Sequence, residues 1–200
     1  MALKHFPKKL DRTAQAELLA ELRSIMAASP LYTPTMPRSG NPMSVRMTNA
    51  GPLGWVTDKE RGYRYQATHP ETGKPWPAIP PMLLALWEAL SGYAHKPEAC
   101  LINYYGTAAK MGLHQDRDEE DFLAPVLSVS LGDTGIFRVG GKSRKDPTQK
   151  FELKSGDVFV LGGEGRLAYH GIDRVLPGTS DLLTEGGRFN LTLRRVTMPK

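Results

Sequence analysis

Beyond Pro97 the chain breaks into seven short runs rich in β-forming residues, at 99–105, 126–131, 135–139, 151–153, 158–161, 167–170 and 188–196. Glycine, aspartate and proline stand between them, the punctuation of strands joined by turns. Short strands at such spacing must bury their apolar faces against each other, so this half of the chain predicts a sandwich or barrel.

The first half reads differently. Leu18, Leu22 and Ile25 recur at helical spacing after Asp11, and Pro30 prevents continuation, which predicts a surface helix over Arg12–Ala28. A second helix starts with Pro81 in its first turn, carries Met82, Leu83, Leu86 and Leu90 on its apolar side and closes at Gly92. Between them, residues 29–54 hold five prolines and three glycines, with one candidate strand at 45–49. A long irregular segment in a compact domain commonly covers a site, and Trp55, Tyr63 and Tyr65 follow directly, so a binding lid is expected here. The expected organisation is one domain over residues 1–200 of mainly β (α+β) class. In it, about 30–80 form the lid and N-terminal extension and about 98–196 the β core, with supporting N-terminal helices.

With 40% hydrophobic and 24% charged residues among 200, the composition is that of a globular domain able to fold as a monomer. The longest apolar run, 82–87, is far short of the ~18 residues of a membrane span, so no membrane partner is expected. The basic N-terminus has no apolar stretch after it, which predicts a cytoplasmic location. Cys100 is the single cysteine, so an internal disulfide and a multi-thiolate zinc site are excluded. Any metal must be held by histidine and carboxylate. The net charge of +5 lies wholly in residues 1–113, which carry 13 Lys and Arg against 8 Asp and Glu, and this favours encounter with a polyanion.

Two of the five histidines sit in ligand-like settings. In an extended segment the period of two turns His114 and Asp116 to one side, and His170 closes the run 166–170. Two imidazoles and a carboxylate without thiolates suit non-haem Fe(II) with open positions; zinc also occupies such triads. The last strand alternates Arg188, Asn190, Thr192 and Arg194 with Phe189, Leu191 and Leu193. Its polar face is either an anion site or the solvated side of an edge strand. At ~3.3 Å per residue the two arginines lie about 20 Å apart, so they serve separate positions.

These residues carry a resemblance. The stretches 101–105, 114–119, 128–132, Gly156-Asp157, 169–171 and 188–194, in this order, are similar to those of the AlkB family of Fe(II)- and 2-oxoglutarate-dependent nucleic-acid dealkylating dioxygenases, from about Met47 onward. The resemblance implies a double-stranded β-helix (jelly-roll) core and Fe(II) held by His114, Asp116 and His170. It implies that Leu101, Asn103, Tyr105, Arg188, Asn190 and Arg194 bind 2-oxoglutarate, with Arg188 and Tyr105 on its distal carboxylate, and that O2 is consumed. It further implies that Met47, Trp55 and Tyr63 receive the nucleotide, that Asp118 and Glu119 lie near the base edge, and that Lys110, Arg117 and Arg144 lie near the strand. The implied reaction is oxidative demethylation of 1-methyladenine and 3-methylcytosine in DNA, single-stranded, or in RNA, releasing formaldehyde. Two departures of one residue each fall in the loop 56–62 and between His170 and Arg188.

Duller roles compete with these. Trp55 and Tyr63 are of a type more often used in cores, the acidic run from Asp116 to Asp121 can be a solvated face, and the basic residues around Arg144 can belong to a soluble hairpin. Two rival functions remain at this point: the same oxygenase acting on a protein or small molecule, and a non-catalytic nucleic-acid-binding module.

Overall fold

The computed structural model describes residues 3–199. Twelve strands and two α-helices are formed among them. Strand β1 (Lys4–Phe6) precedes helix α1 (Arg12–Ala28), whose first turn is capped by the Asp11 carboxylate accepting from the Ala14 N–H at 2.9 Å. Strands β2 (Arg46–Ala50), β3 (Gly54–Asp58) and β4 (Gly62–Gln66) follow, then helix α2 (Pro81–Leu90). The remaining strands are β5 (Ala99–Tyr105), β6 (Met111–His114), β7 (Val126–Gly132), β8 (Thr134–Val139), β9 (Gln149–Leu153), β10 (Val158–Leu161), β11 (His170–Leu176) and β12 (Arg188–Arg194).

Two sheets make the jelly roll: a six-stranded one ordered β1-β10-β7-β12-β5-β2 and a four-stranded one ordered β6-β11-β8-β9. Strands β3 and β4 pair only with each other, as a hairpin. Both helices cover the outer face of the larger sheet. Leu18, Leu22, Leu83 and Trp87 there meet Cys100, Ile102, Leu127, Val129, Leu191 and Leu193 in one core. A second core, including Val126, Phe137, Phe159, Leu161 and Ile172, fills the space between the sheets. A third, with Tyr32, Met47, Val56, Trp76 and Leu101, packs at the base of the β3-β4 hairpin.

One open alternative is settled and two expectations change. Strand β12 is no edge: it lies between β5 and β7, and Arg188, Thr192 and Arg194 on its polar side are buried. The run 167–170 is not a strand ending in His170; a short helical turn (Gly163–Gly165) leads to a loop, and the strand begins at His170. Here β11 closes on β6 so tightly that a Cβ at Gly171 would collide with the Met111 carbonyl. The segment expected as a lid is also less irregular than its prolines imply, since β3 and β4 form within it. Short strands with mixed polar and aromatic faces give a weak periodic signal, which is why β1, β3, β4 and β6 escape a reading by pattern.

Leu22 is fully buried between α1 and the larger sheet. Leu22→Ala should lower stability by about 2–5 kcal/mol, read as a shift of the urea midpoint at unchanged slope.

Candidate active site

His114 and His170 are direct cross-strand partners on β6 and β11, with ring centroids 4.6 Å apart. Asp116 follows two residues after the end of β6. The ligand atoms of these three side chains all lie within 4.8 Å of one another. Each imidazole is turned by its own backbone: His114 Nδ1–H donates to the Gly112 carbonyl at 2.9 Å and His170 Nδ1–H to the Ala168 carbonyl at 2.8 Å. This leaves both Nε2 lone pairs facing Asp116, at 3.6 Å from Oδ1 and 3.4 Å from Oδ2. Two imidazoles and one carboxylate, each oriented by an outer hydrogen bond, form a donor set that fits a divalent cation.

Charge at the site is set by Arg194, whose Nη2 lies 2.8 Å from Asp116 Oδ1 and whose Nη1 lies 2.7 Å from Glu119 Oε1. Burial alone would raise the Asp116 carboxyl, but Arg194 and the histidines hold it well below the usual range. At His114 burial pushes the imidazole down and Asp116 pushes it up, and the carboxylate prevails. Arg166, itself buried, donates to the Asp116 carbonyl at 2.6 Å and the Ala124 carbonyl at 2.9 Å, and pairs with Glu119 Oε2 at 3.0 Å. It thereby pins the loop that carries Asp116.

A cleft of about 860 Å³ opens at the triad. Strand pairing sets the inner row beside it: Tyr105 lies opposite Arg188, Asn103 opposite Asn190 and Leu101 opposite Thr192. All six residues expected to hold 2-oxoglutarate therefore share one face of β5 and β12. Arg188 is wholly buried behind the cleft wall, where it donates to the Leu153 carbonyl at 3.1 Å and the Ser130 hydroxyl at 2.9 Å. No carboxylate lies within ion-pairing distance of it among the described residues, and its Nε, like that of Arg194, has no hydrogen-bond partner there. Burial lowers its pKa to about 10. Tyr105 is pushed up to about 12 by burial, and its hydroxyl meets only the Met111 sulfur at 3.7 Å. A buried cation with an idle N–H beside an under-used phenol fits a dicarboxylate.

Of the expected nucleotide contacts, Met47, Trp55, Tyr63, Lys110, Arg117, Asp118 and Arg144 line the cleft. Trp55 stacks on Tyr63 at 5.6 Å and 22°, and its indole N–H donates to Asp118 at 2.8 Å. Arg144 lies over the Tyr169 ring. Glu119 departs from its expected place: its side chain is fully buried and saturated by Tyr65, Arg166 and Arg194, so it offers nothing to a base edge. An acidic run reads as solvated in a sequence, yet Asp116, Glu119 and Asp121 of this run are all buried, Glu119 with Arg166, Arg194 and Tyr65 as its partners. The same blindness hides Tyr65 and Arg166. The one signal for Tyr65 is its period-two spacing from Tyr63, which puts both on one face of β4.

Fold and donor set together define a dioxygenase that uses Fe(II), 2-oxoglutarate and O2. The sequence matches the 2OG-Fe(II) oxygenase superfamily over residues 2–194. An alpha-ketoglutarate-dependent dioxygenase AlkB homolog of Caulobacter vibrioides is 53% identical over 190 residues, covering 95% of this chain and 86% of that protein. Escherichia coli AlkB is 45% identical over 186 residues, covering 91% and 85%. The solved structure of OsALKBH1 superposes with a TM-score of 0.80 at 31% identity, covering 97% of this chain and 96% of that one. The chain belongs to the AlkB family of 2OG-Fe(II) oxygenases. Among the described residues no helix is long and apolar enough to cross a membrane.

Asp116→Ala should abolish Mn(II) binding in a calorimetric titration while circular dichroism keeps the β-sheet spectrum. Mn(II) affinity of the unaltered protein should rise with pH through and above the ordinary histidine range, because a cation must displace the proton that Asp116 favours on His114.

Proposed function

We propose that this enzyme removes N-alkyl groups oxidatively from 1-methyladenine and 3-methylcytosine in single-stranded DNA, and in RNA, reversing alkylation damage directly. It would act as a monomer in the cytoplasm. The observation that carries the reading is one cleft that joins the His114, Asp116 and His170 triad to an aromatic stack with a carboxylate at its edge. Escherichia coli AlkB, at 45% identity, is described as an alpha-ketoglutarate-dependent dioxygenase, and an Arabidopsis thaliana relative, 41% identical over 49% of this chain, as a DNA N(6)-methyladenine demethylase.

When bound, Fe(II) with 2-oxoglutarate and O2 supplies the oxidising power that hydroxylates a C–H bond, with succinate and CO2 as by-products. His114, Asp116 and His170 would hold the metal. Arg188 and Tyr105 would take the distal carboxylate of 2-oxoglutarate, and Leu101, Asn103, Asn190 and Arg194 would shape the rest of its site. Positioning is the chain's main contribution, since a methyl group must be held within reach of the metal before anything happens. Stacking on an aromatic platform is worth about 1–3 kcal/mol per base, and Trp55 with Tyr63 provides it. Asp118 adds selectivity, because 1-methyladenine and 3-methylcytosine are cationic where the undamaged bases are neutral. A base inside a duplex cannot enter such a cleft without leaving its stack, which favours single strands. Met47 lies at the lid root, while Lys110, Arg117 and Arg144 at the rim suit phosphates. The hydroxymethyl group so formed on nitrogen leaves as formaldehyde and restores the base.

Trp55→Ala separates this reading from an oxygenase of other substrates. Repair of a 1-methyladenine oligonucleotide, followed by mass spectrometry, should fall about 5- to 150-fold, as the stacking energy lost implies, while slow substrate-free consumption of 2-oxoglutarate continues. Equal repair by the variant would remove Trp55 as the platform that holds the base.

A further inference from the structure

The lid and the metal carboxylate are joined by a buried chain of polar groups. Tyr65 stands on β4 directly opposite Trp55 on β3, so the lid's platform residue and Tyr65 belong to one paired rung of the hairpin. From there the Tyr65 hydroxyl donates to Glu119 Oε1 and accepts from Arg194 Nη1 at 3.3 Å. Arg194 Nη1 bonds the same Glu119 oxygen at 2.7 Å, and Arg194 Nη2 bonds Asp116 Oδ1 at 2.8 Å. Arg166 closes the circuit through Glu119 Oε2 and the Asp116 carbonyl. Two carboxylates and two guanidiniums balance in charge, and all four side chains are buried.

This arrangement gives each carboxylate oxygen of Asp116 a separate duty. Oδ1 takes Arg194 Nη2 and faces His114 Nε2, while Oδ2 faces His170 Nε2. Where Arg194 points depends on Glu119, and where Glu119 points depends on the phenol of the lid strand. The hairpin pairs with no other strand, so the contact through Tyr65 is a polar tie between it and the metal loop that its own backbone pairing does not supply. A second tie, from Trp55 to Asp118, reaches the same loop from the exposed side.

We propose that Tyr65 and Glu119 are positioning residues that set the metal-binding carboxylate of Asp116 through Arg194, so that cation binding at the triad and the seated position of the β3-β4 hairpin favour each other. Linkage makes the effect reciprocal: a cation that needs Asp116 in this setting must slow opening of the hairpin, and loosening the hairpin must weaken the cation by the same factor. Neither residue touches the reacting atoms.

The test needs neither turnover nor nucleic acid. Amide hydrogen exchange of the segment 54–66 is measured by mass spectrometry on the full chain with and without saturating Mn(II), alongside the Mn(II) dissociation constant. In the unaltered protein Mn(II) should slow exchange of the hairpin by about 5-fold or more. Tyr65→Phe, which keeps the ring and removes the hydroxyl, should reduce that slowing and weaken Mn(II) by a matching factor, the Trp55 to Asp118 tie being left in place. Glu119→Gln should weaken Mn(II) by about 10- to 100-fold, the usual cost of losing an outer partner of a ligand. Hairpin exchange that ignores Mn(II) in the unaltered protein overturns the proposal whether or not the variants fold. So does a folded Tyr65→Phe protein with unchanged affinity and unchanged slowing.

Discussion

The structure depends on burying a row of polar side chains inside a β-sandwich. Strand β12 has two buried faces of opposite chemistry: Phe189, Leu191 and Leu193 pack toward the helices, and Arg188, Asn190, Thr192 and Arg194 turn into the roll. A cation taken out of water is costly unless it is paired. Arg194 is paired by Asp116 and Glu119, whereas Arg188 has only a carbonyl and a hydroxyl. The contrast divides the inner face into a part balanced by the protein itself and a part suited to a carboxylate from outside. Losing one member of the balanced part would cost about 3–5 kcal/mol, since a lone buried charge would be left. The metal loop is held by that penalty.

The outer layers serve this interior. Helices α1 and α2 shield the apolar side of the larger sheet, and the buried Gln15 of α1 is satisfied by the Leu10 carbonyl and the Ser155 hydroxyl. The smaller sheet brings two histidines together by cross-strand pairing, and the tight crossing at Gly171 makes that pairing possible. Ring orientation then follows from two carbonyls, Gly112 and Ala168, that belong to the same short stretches as the histidines. A metal site assembled this way needs few residues, because the backbone has already fixed their directions.

Much of this was legible in the sequence where a strong period exists. Helix α1 lies where the spacing of Leu18, Leu22 and Ile25 puts it, between Asp11 and Pro30. The alternation along β12 revealed two chemically distinct faces, although period alone left open whether the polar face met solvent. Its position between β5 and β7 is a property of pairing, which no single strand encodes. His114 and Asp116 were legible from their spacing, and His170 from the motif around it. Glu119, Tyr65 and Arg166 were not, because their roles rest on one another across more than a hundred positions, beginning at Tyr65 and ending at Arg166 and Arg194. The β3-β4 hairpin was hidden by the prolines on either side of it and by aromatics whose meaning appears only once they face the cleft.

The central claim is that the triad's oxidising chemistry is directed at an alkylated base. Its most direct measurement is a stoichiometry: protein reconstituted with Fe(II) under anaerobic conditions receives O2, 2-oxoglutarate and a single-stranded oligonucleotide carrying 1-methyladenine. Succinate, formaldehyde and oligonucleotide mass are then followed together. The account predicts one succinate and one formaldehyde for each oligonucleotide that loses a methylene mass. Succinate formed while the oligonucleotide keeps its methyl group would contradict it.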